Sequence, residues 1–231
     1  MADAAWRFTP IVFDAYGTLF DPNAVAVPLE ARFPGRGAEL AAAWRETQLR
    51  HTWLRTAMSA YVDFDTVTRH ALAQVLEAAG LSADPAGIDE LVAHDRALPP
   101  YPEVVSALKA IESDWPMAIL TNGTQSTMQA IVRAAGLSDR IPTVLSVDIV
   151  RAYKPAPQVY RMASDHFGVD PSAVHFVSGN GWDCAGAAAF GLRAIRVRRG
   201  SVAAVNERVG PAPVATIDDL TGLVAVLRQP A

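Results

Sequence analysis

One cysteine, Cys184, stands in a chain of 231 residues. A lone thiol excludes an internal disulfide and any cysteine metal cluster, and it suits a reducing cytosol. Excess charge is also missing: 20 Lys and Arg against 24 Asp and Glu leave a net −4. That balance gives no electrostatic case for nucleic acid or an anionic membrane as partner. No apolar run reaches the 18 residues of a membrane span, and the start, with Asp3 and Arg7, lacks the apolar region of a signal peptide. The expectation is a cytoplasmic protein. The five histidines, His51, His70, His94, His166 and His175, show no metal-ligand spacing. No internal repeat or low-complexity segment occurs. A hydrophobic fraction of 51% with 19% charged residues fits a globular chain with a sizeable core.

Short apolar runs at 11–13, 117–120, 143–147, 173–177 and 194–197 read as buried parallel strands. Helical stretches separate most of them: one opened by Pro102-Glu103, one over Thr124 to Ala135 stopped by Gly136, and others at about 156–167, 183–190 and 218–228. This alternation predicts an α/β fold with a doubly wound, Rossmann-like parallel sheet. Residues from about 20 to 98 break it, with two or three helices and no convincing strand. Leu40, Trp44, His51, Leu54 and Met58 fall at helical spacing, and Asp65 suits the cap of a helix ending at Gly80. The prediction is an α-helical cap domain over 20–97, inserted into a core domain of 1–19 and 98–231. The proline-rich run Leu98 to Pro102 is the return linker.

The chemistry lies in four short motifs. Asp14-Ala15-Tyr16-Gly17-Thr18 follows the first apolar run, which puts a carboxylate at the C-terminal edge of a buried strand, where open α/β sheets bind ligands. Leu120-Thr121-Asn122-Gly123 ends the second strand, and Thr121, Asn122 and the next helix start make an anion site; the alternative is a plain helix cap, a role Thr124 fills alone. Lys154 before Pro155 is held extended and can direct its ammonium at Asp14; the alternative is a solvated surface lysine. The fourth motif is Ser178-Gly179-Asn180-Gly181-Trp182-Asp183.

Asp-x-Asp-Gly-Thr after a strand resembles the signature of the haloacid dehalogenase superfamily, mostly phosphatases. There the first Asp is the nucleophile and the second protonates an alcohol leaving group. Here the second position is Tyr16. A halide leaves as a stable anion and needs no proton, so the change argues against ester hydrolysis and for carbon–halogen cleavage. Gly179 replaces a metal-binding Asp of the phosphatase pattern, which argues against a metal; no cofactor is expected.

The match tightens over Phe13 to Asp21, Leu145-Ser146-Val147-Asp148, Tyr153-Lys154-Pro155, Val159-Tyr160 and Ser178 to Asp183. In the cap, Phe33 to Gly37, Trp44 to Leu49, Thr52 to Arg55 and Tyr61 to Phe64 join it. Together they resemble the L-2-haloacid dehalogenases from about residue 8 to 200. The family usually has Ser-Ser-Asn in the fourth motif, where this chain has Ser178-Gly179-Asn180, one hydroxyl fewer.

The resemblance implies that Asp14 displaces the halide with inversion and forms an aspartyl ester, which water hydrolyses to a D-2-hydroxy acid. It implies that Thr18 and Lys154 hold Asp14, and that Ser178, Asn180 and Asp183 place the water. Asp183 acts on that water or orients Lys154; both roles stay open. The substrate carboxylate falls to Ser178, Thr121 and Asn122, and the halide to Arg45, Asn122 and Trp182. Tyr16, Leu49, Phe64 and Trp182 form an apolar wall, and Tyr160 orients near Lys154. The partners implied are a small 2-haloacid and water, and a second copy in a homodimer. On spacing alone Arg45 is an ordinary surface arginine, Cys184 a structural thiol, and Arg193, Arg196, Arg198 and Arg199 a solvated basic face. Rival functions are a phosphatase, a hydrolase opening a strained ring such as azetidine-2-carboxylate, and a non-catalytic homologue.

Overall fold

Three-residue Ile11–Phe13 has no exposed atom to spare, and it forms the centre of the sheet as β1. A computed structural model describes residues 9–199 and 209–228; the parts of the expected core domain at 1–8, 200–208 and 229–231 lie outside the described residues. Met117–Thr121 (β2) and His175–Ser178 (β4) flank β1 in parallel, with Phe13 opposite Ile119 on one side and Val177 on the other. Thr143–Ser146 (β3), Arg193–Val197 (β5) and Ala215–Ile217 (β6) complete a six-stranded parallel sheet in the order β3-β2-β1-β4-β5-β6. The order reverses at β1, so the C-terminal ends of β1, β2 and β4 open the crevice where such sheets bind ligands. β6 was not expected: it has three residues and only Ile217 is buried, too little pattern to read.

Four α-helices of the insert follow β1: Ala26–Arg32 (α1), Gly37–Ala57 (α2), Phe64–Ala78 (α3) and Pro85–Asp95 (α4). α2 and α3 pack together through Leu40, Trp44, Val67, Ala71 and Leu72, and the Trp44 indole N–H donates to the Thr68 carbonyl at 2.9 Å. Leu54 and Met58, expected at packing positions, are 51% and 64% exposed. α3 is capped by Asp63, which accepts from the Thr66 N–H at 2.8 Å, and not by Asp65. Asp65 instead reaches across to Thr127 at 3.0 Å and pairs with Arg96 at 3.2 Å.

Val104–Lys109 (α5), Gln125–Ala134 (α6), Pro157–Phe167 (α7), Gly181–Phe190 (α8) and Leu223–Leu227 (α9) carry the chain between and after the strands. Thr124 caps α6, as its hydroxyl position suggested. α5 starts two residues later than Pro102, with Glu103 as its N-cap residue, whose carboxylate pairs with Arg199. Among the described residues no helix is long and apolar enough to cross a membrane.

Candidate active site

β1 hands the chain directly to Asp14, whose N–H still donates to the Val177 carbonyl at 2.9 Å. The next residues turn back at once: Ala15 accepts from the Leu19 N–H, and Gly17 donates to the Phe20 carbonyl with φ at +77°, a conformation that favours glycine. Asp14 is thereby fixed at the sheet edge, 5% exposed.

Four side chains converge on its carboxylate. Lys154 Nζ donates to Oδ1 at 2.9 Å. On Oδ2, Thr18 Oγ1 donates at 2.8 Å, Asn180 Nδ2 at 2.7 Å and Ser178 Oγ at 3.3 Å. Three donors on one oxygen and one on the other is an unequal distribution: Oδ1 keeps the freer lone pairs.

Lys154 follows β3 in a loop held by its own N–H, which donates to Asn122 Oδ1 at 3.0 Å. Its ammonium, 1% exposed, also donates to Asp183 Oδ2 at 2.9 Å. Burial alone would lower the lysine; the two carboxylates outweigh it and hold the ammonium above its ordinary value. Asp183, fully buried in the first turn of α8, is pushed up to about 6, chiefly by burial, with Lys154 pulling it back. Both Asp183 oxygens are engaged: Oδ2 by Lys154 and, at 3.1 Å, by Ser178 Oγ, whose single O–H lies between this oxygen and Asp14 Oδ2; Oδ1 by Tyr160 at 2.8 Å. Tyr160 therefore acts on Asp183, one bond further from Lys154 than expected.

Thr121 and Asn122 are both buried. The Thr121 hydroxyl accepts from the Gly123 N–H at 3.0 Å within its own loop. Asn122 accepts through Oδ1, which leaves Nδ2 as its donor. Over this floor stand residues of the insert. Phe64 at the start of α3 packs on Tyr16 with ring centroids 5.4 Å apart. Arg45, half-buried on α2, places its guanidinium carbon 5.9 Å from the Tyr16 ring centroid, and among the described residues it makes no hydrogen bond or ion pair. Leu49 lies one turn further on the same helix and is half-buried. Trp182, half-buried in α8, meets Trp53 of α2 edge-on at 5.6 Å.

Gly179 has a steric reason. A Cβ there would lie 2.0 Å from the Gly17 carbonyl oxygen, so the fourth motif can approach the first this closely only without a side chain. Its N–H donates to Thr18 Oγ1 at 2.8 Å. Cys184 is buried, its Sγ 3.4 Å from the Ser178 carbonyl, and burial pushes the thiol up, away from the thiolate form.

The donor set does not fit a magnesium ion. Asn180 Nδ2 bridges Asp14 Oδ2 and the Tyr16 carbonyl, at 2.7 and 2.9 Å. Lys154 bridges Asp14 Oδ1 and Asp183 Oδ2. The oxygens a hard cation would need already accept from N–H groups, and position 179 supplies no carboxylate.

Sequence reading missed three features here. Asp95, the last residue of α4, is buried and pushed up to about 6, chiefly by burial, with Arg45 pulling it back. Tyr153 ties the lysine loop to the insert: its N–H donates to Thr56 Oγ1 at 3.0 Å and its hydroxyl to the Val62 carbonyl at 2.6 Å. The supposed solvated basic face holds two covered arginines, Arg196 at 7% exposure and Arg199 with a side chain 10% exposed. An aromatic beside Lys154 was the only visible signal for any of these.

A family model described as haloacid dehalogenase-like hydrolase matches residues 10–191. The (S)-2-haloacid dehalogenase of Xanthobacter autotrophicus is 43% identical over 189 residues, 82% of this chain and 74% of that protein. That of Pseudomonas sp. (strain YL) is 38% identical over 222 residues, 96% of this chain and 95% of that one. The solved structure of the L-2-haloacid dehalogenase from Xanthobacter autotrophicus with chloropropionic acid covalently bound superposes with a TM-score of 0.91 at 36% identity, covering 97% of this chain and 100% of the other.

Proposed function

This chain belongs to the haloacid dehalogenase-like hydrolases, among the L-2-haloacid dehalogenases, and from that premise we propose that it hydrolyses short L-2-haloalkanoic acids to D-2-hydroxy acids without a metal. The observation that carries the proposal is a buried carboxylate at the end of β1, gripped by Lys154, Thr18, Ser178 and Asn180, with a tyrosine where phosphate-ester cleavage needs an acid. The relative with chloropropionic acid covalently bound supports a covalent route.

Oδ1 of Asp14, the oxygen with one donor, attacks the α-carbon opposite the halogen. The new C–O bond forms as the carbon–halogen bond breaks, and the halide departs with the bonding pair toward Arg45, Asn122 Nδ2 and Trp182. Inversion follows from in-line attack. A guanidinium suits a weakly hydrated anion, and among the described residues Arg45 makes no hydrogen bond that the halide would have to displace, with the charge of Asp95 nearby. Tyr16, Phe64 and Leu49 keep water from this step. The substrate carboxylate is read onto Ser178, Thr121, Asn122 and backbone N–H groups of the same loops.

Oδ2 becomes the carbonyl oxygen of the ester. Water attacks Cγ of Asp14, and the developing oxyanion meets two donors already aimed at it, from Thr18 and Asn180, with the single Ser178 O–H, shared with Asp183 Oδ2, able to turn to it as a third. The acyl–oxygen bond breaks, the hydroxy acid keeps one proton of the water, and the other passes through Asp183 to solvent. With both oxygens engaged, Asp183 serves first to hold Lys154 and only then as the proton's exit. Residues 20–97 act as a cap over a core of 1–19 and 98–231.

The test is halide release from L- and D-2-chloropropionate in EDTA, with chiral analysis of the lactate. Chloride from the L-isomer alone, with D-lactate as product, is the expected result. Metal-dependent phosphate release with no halide would overturn it.

A further inference from the structure

Both connections of the helical insert pass one point. The outgoing chain runs through Thr18 to Asp21 and the returning chain through Pro99 to Glu103. They are tied backbone to backbone: the Asp21 N–H donates to the Pro99 carbonyl and the Tyr101 N–H to the Leu19 carbonyl, each at 3.0 Å. Phe20 and Pro100 form an isolated bridge between them.

Arg199, two residues past β5, lies across this junction. Nε and Nη2 donate to the Thr18 carbonyl at 3.2 and 2.6 Å, and Nη1 to Glu103 Oε1 at 2.5 Å. Its guanidinium carbon sits 3.9 Å from the Tyr101 ring centroid. The Arg199 and Glu103 side chains are only 10% and 18% exposed, whereas the neighbouring Arg198–Asp218 pair is 66% and 85% exposed and adds little. One guanidinium thus holds the outgoing connection by a forked pair of bonds, and the returning one by a carboxylate and an aromatic face.

Thr18 links this junction to the chemistry. Its hydroxyl donates to Asp14 Oδ2 and accepts from the Gly179 N–H, both at 2.8 Å. A Cβ at Gly179 would also come within 3.0 Å of Arg199 Cγ, so the stem of Arg199 fills the space beside this glycine. Arg199 is two contacts from the nucleophile and touches neither substrate nor reacting atoms.

We propose that Arg199 is a positioning residue, a clasp that joins both connections of the insert and, through Thr18, sets the aim of Asp14. Its kinetic consequence rests on the dehalogenase reading; its structural consequence does not.

Arg199→Met keeps the stem against Gly179 and Tyr101 and removes every donor. Arg199→Lys keeps the charge without the fork and serves if the first variant folds poorly. Hydrogen exchange read by mass spectrometry on the whole chain should show peptides covering 15–21 and 98–103 exchanging about tenfold faster, as loss of about one hydrogen bond implies, with peptides of α3 unchanged. Single-turnover chloride release from L-2-chloropropionate should slow about 10- to 100-fold while KM stays near that of the unaltered enzyme, because aim and not affinity is lost. Arg199→Ala should regain rate saturably with added guanidinium ion, and not with sodium at equal ionic strength. Unchanged exchange in both peptides overturns the clasp, whatever the kinetics. Faster exchange with an unaltered single-turnover rate overturns the aiming role. If the unaltered enzyme releases no halide, the functional reading fails while the exchange measurement still decides the clasp.

Discussion

Asp14 belongs to the sheet and Arg45 to the helical insert, and the two are held in opposite ways. Asp14 receives four hydrogen bonds from three motif loops and is almost without exposure. Arg45 is half-buried and lies over one aromatic ring, with no hydrogen bond among the described residues. A nucleophile gains from being aimed before substrate arrives, since preorganised donors need no rearrangement at the moment of reaction. A halide cradle gains from the reverse: a cation with satisfied partners would have to give them up to receive the anion. On the proposed reading, the difference between the two sides follows the charge each would handle.

Lys154→Met breaks the sheet side most severely. It removes the donor on Asp14 Oδ1 and leaves two buried carboxylates facing each other with no cation. Dehalogenation should fall by about 10³-fold, and stability by about 3–5 kcal/mol, as when one partner of a buried pair is deleted. Steady-state kinetics and thermal unfolding check the two arms. A variant with near-normal turnover would mean that the ammonium only balances charge.

Arg45→Lys tests the insert side. The variant keeps the charge and loses the delocalised, weakly hydrated head, so the displacement step should slow on the order of 10²-fold. Asp14 keeps all of its own bonds, so stability should be unchanged. Comparing 2-chloro- with 2-bromopropionate sharpens the point: the poorer leaving group should suffer more. Equal losses for both would place Arg45 on the substrate carboxylate instead.

The sheet side was legible in sequence because its geometry is local. A short apolar run, a carboxylate and a glycine turn at a strand end leave few conformations, and Asp14, Thr18, Lys154, Ser178, Asn180 and Asp183 do meet around one carboxylate. The insert side was read mainly through resemblance, since helical spacing says which residues share a face and not what that face meets. Asp65 and Asp63 are equally good caps by composition; Asp65 is drawn off by Thr127, 62 residues away. Arg199 looked solvated because its partners, the Thr18 carbonyl and Glu103, lie 181 and 96 residues distant. Gly179 read as a missing hydroxyl until the Gly17 carbonyl opposite it was visible.

The two sides also each hold a carboxyl pushed up to about 6, Asp183 on the sheet and Asp95 on the insert, in both cases mainly by burial. Only Asp183 must be ionised to grip Lys154. The rate of chloride release should therefore fall as pH drops through about 6, roughly tenfold per unit below it. Asp95→Asn should leave this acid limb in place, and Asp183→Asn should erase it from the residual activity. A limb that vanishes with Asp95→Asn would move the controlling titration to the insert.

Asp95 has a smaller effect, and it is on stability. Its folded value lies above the ordinary 3.8, so folding favours the protonated form. That contribution is complete below pH about 3.8 and is lost as pH rises through about 6. At pH 8 the buried carboxylate is ionised and opposes folding by about 1.4 kcal/mol for each unit of the shift. Asparagine keeps the shape and the acceptor oxygen and carries no charge. Asp95→Asn should then unfold at a higher temperature than the parent at pH 8, with the gain shrinking toward pH 4. Arg45 would lose the nearby charge that offsets its own, so halide product should bind more tightly and inhibit at lower concentration. A variant less stable at pH 8, with unaltered halide inhibition, would show that Asp95 and Arg45 act as an ion pair, and that the insert side is as firmly built as the sheet side.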